Sequence, residues 1–188
     1  MRFLSLALLA LLLAGSAAAP FDAEGYRTER YRAPVNRDPL PAARMVVAQA
    51  RRLESERTAI FVDVMPAEGG IRDETTGEWK LAVRHQTIPG ALWYPETGRA
   101  APDPVLWRGI RGGLAARRKL HPAAPIVVFC RADCWMSWNA ARRLAREGVG
   151  NVWWLAEGID GWHAAGGRLV EAEPIAVPGR AAPLEGER

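Results

Sequence analysis

The chain has 188 residues, 49% of them hydrophobic and 24% charged, with 18 glycines and 14 prolines, a balance that excludes a disordered or low-complexity chain and fits one globular domain. The net charge of +4 is spread along the sequence, and the densest basic stretch, Arg108 to Lys119, lacks the interleaved aromatics of a nucleic-acid surface. With only two cysteines, a disulfide framework and a four-cysteine zinc site are excluded as well.

The chain opens with Arg2, an apolar run from Phe3 to Leu13, and small residues from Gly15 to Ala19. This pattern predicts a secretory signal peptide over residues 1–18, cleaved after Ala18, and export to the periplasm as a soluble chain of about 170 residues. Left uncleaved, the segment would act as a membrane anchor; no other stretch approaches the ~20 apolar residues that a span needs. The compartment expected is an oxidising one.

Residues 19–57 read as an N-terminal arm followed by a helix. Phe21 to Pro41 is polar and proline-punctuated, an irregular arm or edge hairpin that lies across the domain. From Ala42 to Glu56, the spacing of Ala42, Met45, Val46, Ala50 and Leu53 predicts a surface helix. Thr58 to Val64 is a compact β-branched and aromatic run, a buried strand, and Ala67 to Lys80 is glycine-rich and charged, a loop. Gly90 to Pro95 is a second strand.

Asp103-Pro104 starts a helix that carries Trp107, Ile110 and Leu114 on one face, although Gly109, Gly112 and Gly113 weaken it. Ile126 to Phe129 is the strongest strand signal. The next helix presents Trp138, Ala141, Leu144 and Ala145 inward and Asn139, Arg142, Arg143, Arg146 and Glu147 outward, and Gly148 stops it. Val152 to Leu155 is the last strand. Continuous apolar strands alternating with helices predict an α/β fold, a parallel sheet with helices on both faces, over residues 58–170, with a tail over 171–188.

Binding sites in such sheets lie beyond the carboxyl ends of the strands. Cys130 stands there, between a strand and a helix, where a tight loop and a helix N-terminus favour a thiolate over a thiol. Cys134 follows on the same loop. Three readings of the pair stay open: a reactive or redox couple, a structural disulfide, and a soft Cu(I) site, zinc being short of further ligands. His85, His121 and His163 fall in predicted loops and read as structural or exposed. Most of the eight tryptophans read as core, the pair Trp153 and Trp154 above all.

Four pieces in order, Asp63 closing FVDV, IPGA from Ile88, VVFC entering a loop and helix, and EGIDGW from Glu157, resemble the rhodanese-like domain over roughly Thr58 to Gly167. More narrowly, the loop CRADCWMSWNAARR, whose spacing is Cys-x-x-x-Cys-Trp and not the Cys-x-x-Cys of thioredoxin-like enzymes, and the stretch GYRTERYRAPV from Gly25 are similar to an exported rhodanese-like family, named for its CXXCW motif and associated with pyrroloquinoline quinone (PQQ)-dependent alcohol catabolism. The resemblance implies thiol redox or sulfur-transfer chemistry with Cys130 as nucleophile and Cys134 as its resolving partner, in service of a PQQ-dependent alcohol dehydrogenase system. Backbone N–H groups of Arg131, Ala132, Asp133, Cys134 and Trp135 would hold the Cys130 thiolate.

Two departures from a working thiosulfate sulfurtransferase stand out. The sixth loop position, where a cation normally holds the anionic donor, is Trp135, which would instead offer a stacking wall to a quinone such as PQQ. Asp133, if it faces inward, would raise the thiolate's pKa and repel thiosulfate. Met136 stands where a related phosphatase needs arginine, which excludes phosphoryl chemistry. Asp63 is expected to hold loop backbone by hydrogen bonds rather than act as a base.

Overall fold

The structure, a computed structural model, describes residues 20–179, so the signal peptide expected over residues 1–18 lies outside the described residues, as does the end of the tail. In chain order the elements are β1 (Ala43–Met45), α1 (Val47–Ser55), β2 (Ile60–Asp63), β3 (Ile71–Arg72), β4 (Trp79–Lys80), β5 (His85–Thr87), β6 (Leu92–Trp93), α2 (Pro104–Leu120), β7 (Ile126–Phe129), α3 (Trp135–Arg146), β8 (Val152–Leu155), α4 (Gly158–Ala164) and β9 (Val170–Ala172). Among the described residues no helix is long and apolar enough to cross a membrane.

Five strands form one sheet in the order β1-β8-β7-β2-β6, every pair parallel. All residues of β2 and β7 are buried, which is why their sequences are unbroken apolar runs and shows that both faces of the sheet are covered. β7 is the middle strand, so the residue that follows it emerges at the centre of the sheet's carboxyl edge. α3 packs on β7 and β8, and α1 lies against α4. This is the α/β architecture that the sequence pattern predicts.

Three local expectations give way. The helix expected from Ala42 begins only at Val47; Ala43–Met45 is a strand pairing residue for residue with Trp153, Trp154 and Leu155. Helix propensity loses because the outer edge of β8 presents backbone groups that a partner strand satisfies. The expected loop Ala67 to Lys80 contains an antiparallel hairpin of β3 and β4, closed by Asp73, whose carboxylate accepts the N–H groups of Thr75 and Thr76 at 2.7 and 2.9 Å. Of the histidines expected in loops, His85 lies in β5, which pairs with β9, and His163 lies in α4.

α2 forms as expected, its first turn capped by Asp103, whose Oδ1 accepts from Val105 and Leu106. Two of its three glycines are places of close approach, while Gly112 faces open space. A Cβ on Gly113 would stand 1.9 Å from the Tyr94 hydroxyl, and one on Gly109 would stand 2.5 Å from Val177. Val177, beyond the last strand, is therefore packed against the domain.

Candidate active site

Cys130 follows β7 directly, and Cys134 caps the N-terminus of α3. Both are free thiols, 1% and 3% exposed, and they lie close enough for each to shift the acidity of the other. The loop between them is held from two sides. Asp160 accepts the Ala132 N–H at 2.9 Å, and the Ile159 N–H donates to the Cys130 carbonyl at 2.8 Å, so α4 anchors one side. The arm anchors the other. Ala33 donates to the Asp133 carbonyl, Trp135 donates to the Tyr31 carbonyl, and Arg32 pairs with Cys134 as a short antiparallel bridge.

These bonds change the expected role of the loop amides. Ala132 and Trp135 spend their N–H groups on Asp160 and Tyr31, whereas the amide of Arg131 favours a charge on Cys130. Burial, the hydrogen bond and charge of Cys134, and the Asp63 carboxylate together push the Cys130 thiol well above its ordinary value. Cys134 moves the other way, to about 7, through the Cys130 hydrogen bond against the opposing effect of burial, with further help from the amides of Met136 and Ser137 and the charge of Arg32. Cys134 is thus the more acidic of the two thiols. The helix N-terminus that favours a thiolate faces the second cysteine because α3 starts after it, not after Cys130.

Asp133 is exposed, and it is not among the groups that shift either thiol, so the inward-facing carboxylate considered from sequence does not occur. Its backbone takes a left-handed conformation, φ +50°, that turns the loop into α3. Arg131 is exposed, with no hydrogen bond or ion pair of its side chain among the described residues.

Trp135 corrects a further expectation. It is 2% exposed, edge-on to Phe21 at 5.2 Å and to Trp138 at 5.3 Å, with the Arg27 guanidinium 5.2 Å from its ring. It pins the arm to α3 and does not line the cleft beside the thiols, so it offers no stacking wall to PQQ or another quinone. Asp63 bonds as expected in kind. Its Oδ1 accepts from the Met65 N–H at 2.9 Å, and its Oδ2 meets His85 Nε2 at 2.7 Å and the Thr87 hydroxyl at 2.6 Å. The backbone it fixes is the segment after β2, not the cysteine loop.

A cleft of about 1020 Å³ opens between the arm and the segment after β2, and both cysteines line it. Its charged wall comes largely from residues that the sequence pattern did not single out: Arg27, Arg30 and Arg32 of the arm and Arg99, facing Glu68 and Glu96. Asn139, expected outward, is fully buried and ties down the same arm: its Oδ1 accepts from Arg27, and its Nδ2 donates to the carbonyls of Arg27 and Gly98. A polar side chain inside the apolar sequence around Trp138 and Ala141 is the signal that was available for it. A smaller cavity of about 420 Å³ at the opposite end of the sheet, lined by Arg57, Arg117, His121 and Arg168, contains no cysteine.

A central parallel strand followed at once by a cysteine, a short loop and a helix defines a cysteine-loop α/β protein. Residues 47–165 match the model of the rhodanese-like domain, and the chain belongs to that family. Among solved structures it is similar to a thiosulfate sulfurtransferase from Pseudomonas aeruginosa, at 19% identity and a TM-score of 0.48 over 71% of this chain and 21% of that one. It is also similar to a Bacillus halodurans protein, at 20% identity and a TM-score of 0.46 over 69% and 77% of the two chains. A third is the polysulfide-sulfur transferase homodimer from Wolinella succinogenes, at 17% and 0.42 over 69% and 78%. The chain spans about a fifth of the Pseudomonas structure. No curated protein matches it. The arm lies ahead of the matched residues.

Proposed function

We propose that the chain is an exported rhodanese-like protein performing thiol redox or sulfur-transfer chemistry at Cys130 and Cys134, accessory to PQQ-dependent alcohol catabolism. The observation that carries the chemistry is the pair of free thiols just beyond the end of the central strand, both lining one cleft. The link to PQQ-dependent catabolism and to a dehydrogenase system rests on the likeness of CRADCWMSWNAARR to the CXXCW family, and export rests on the leader pattern.

The charge distribution favours Cys134 as the first nucleophile and Cys130 as the partner that resolves, the reverse of the order implied by the resemblance. The Cys134 thiolate attacks the outer sulfur of an anionic donor such as thiosulfate. A Cys134 persulfide forms, and the donor remainder, sulfite in that case, leaves with the bonding electron pair. Cys130 then loses its proton and attacks the Cys134 Sγ, expelling hydrosulfide and closing a Cys130–Cys134 disulfide. A thiol reductant returns the pair to the dithiol by two exchanges, and the cycle is complete.

The test is mass spectrometry of the protein after brief exposure to a sulfane-sulfur donor, with the reduction potential of the pair. A gain of one sulfur on Cys134 in the Cys130→Ser variant, and none in Cys134→Ser, is expected. A pair locked as a disulfide at or below about −300 mV would overturn the reading in favour of a fixed structural bridge.

A further inference from the structure

Anion-handling loops place a cation beside the reacting sulfur, and here the sixth loop position is a buried tryptophan. The cleft nevertheless carries arginines, and their bonding separates those already engaged from those that are not. Arg27 donates to the carbonyls of Glu29 and Arg30 and packs on Phe21 and Trp135. Arg99 is bonded to Glu96 at 2.7 Å, and Arg30 lies 3.7 Å from Glu29. Arg32 and Arg131 have no acidic partner among the described residues. Arg32 is placed by its own bond to the Ala132 carbonyl at 3.0 Å and by the bridge between its backbone and Cys134, and Arg131 is next to Cys130 in the chain.

We propose that the cleft binds an organic anion, a sulfur compound bearing a carboxylate or sulfonate that Arg32 of the arm and Arg131 of the loop hold beside the two thiols. The proposal deepens the sulfur-chemistry reading of this site and rests on it for the nature of the ligand. The cation moves from the loop to the arm: Trp135 fills the usual position to anchor the arm, and the anchored arm delivers Arg32. Size argues for an organic ligand rather than an inorganic one. A cleft of about 1020 Å³ is far larger than thiosulfate requires and lies at the upper end of the ~300–1,000 Å³ range of small-molecule sites. Glu68 on the facing wall disfavours a ligand that is anionic at both ends.

The test uses paired thiol reagents of like size and opposite charge, 2-sulfonatoethyl methanethiosulfonate and its trimethylammonium counterpart, on the full exported chain. Each transfers its charged thiol to a protein thiolate and releases methanesulfinate, so the rate ratio reports charge selection at the cysteines. The anionic reagent is expected to react on the order of tenfold faster than the cationic one, after normalisation to a free thiol. Arg32→Gln with Arg131→Gln should abolish the preference, Arg32→Lys should retain most of it, and Arg108→Gln on exposed α2 should leave it intact. A normalised ratio near one in the parent protein, or one unchanged in a folded double variant, overturns the proposal. Charge selection without sulfur transfer would leave the anion site of Arg32 and Arg131 standing while removing the sulfur nature of its ligand together with the reading above it; sulfur transfer without charge selection would overturn the anion site and leave that reading intact.

Discussion

Gly158 lies directly behind Cys130: a Cβ there would stand 2.4 Å from the Cys130 carbonyl oxygen and 2.5 Å from the Arg131 carbonyl carbon. Its backbone is also left-handed, φ +56°, a conformation that L side chains rarely adopt. The glycine that opens the GIDGW run is therefore part of the mould in which the cysteine loop sets. Gly158→Ala is expected to cost at least about 2 kcal/mol, from backbone strain and displacement of the loop. Thermal or urea unfolding measures that cost, and a variant as stable as the parent would show that α4 does not shape the loop.

Asn139 bonds to the arm from inside the core. Asn139→Ala removes three hydrogen bonds and leaves the Arg27 N–H and the carbonyls of Arg27 and Gly98 unpartnered, at a cost of about 2 kcal/mol or more. The effect is expected to be local as well as global. Limited proteolysis should cut between residues 20 and 40 first and faster than in the parent, and an unchanged cleavage pattern would show that other contacts suffice to hold the arm.

The two thiols should titrate in opposite directions from a free cysteine. With Cys134 near 7, its thiolate fraction rises from roughly a tenth at pH 6 to roughly nine-tenths at pH 8, so alkylation by neutral iodoacetamide should climb across that interval. Lowering the pH protonates the reactive sulfur and slows the reaction. In Cys134→Ser the climb should move to higher pH, because burial and Asp63 still raise Cys130. Finding the low-pH titration in that variant instead would assign the charge to Cys130.

Asp63 bears on Cys130 through its charge and on the neighbouring segments through its hydrogen bonds, and two substitutions separate these effects. Asp63→Asn keeps the shape but removes the negative charge, so the Cys130 thiol should become more acidic, read as a lower alkylation midpoint in the Cys134→Ser background. Asp63→Ala also strips the partners from His85, Thr87 and the Met65 N–H, and should be less stable than Asp63→Asn by about 2 kcal/mol or more. Equal stabilities would show that the hydrogen bonds contribute little.

Ile126 to Phe129 and Thr58 to Val64 were legible as buried strands because a strand covered on both faces needs apolar side chains at every position. Cys130 was legible as a candidate site because its place at a strand's end is local information. Ala43–Met45 was not, since these residues suit a helix and only the open edge of β8 makes them a strand. The acidity of the two thiols was not legible either. It depends on where α3 begins and on which loop amides Asp160 and Tyr31 occupy, contacts that no spacing encodes. Trp135 and Asn139 misled for one reason: each contacts an arm more than a hundred residues earlier in the chain.

That separation sets an order of events. Arg27 and Asn139 are 112 residues apart, and β1 has β8 as its partner in the sheet, so the arm can dock only once the chain through β8 has emerged and the central strands have formed. Closure over so long a stretch is entropically the late step of folding. Until then both sulfurs stand uncovered and the guanidinium of Arg32 is elsewhere. The newly made protein thus passes through an interval in which passing thiols and disulfides can exchange with the pair without selection by charge. Completion of the fold is then also the moment at which the cysteines acquire their discrimination, and a chain whose arm never docks would be an indiscriminate dithiol.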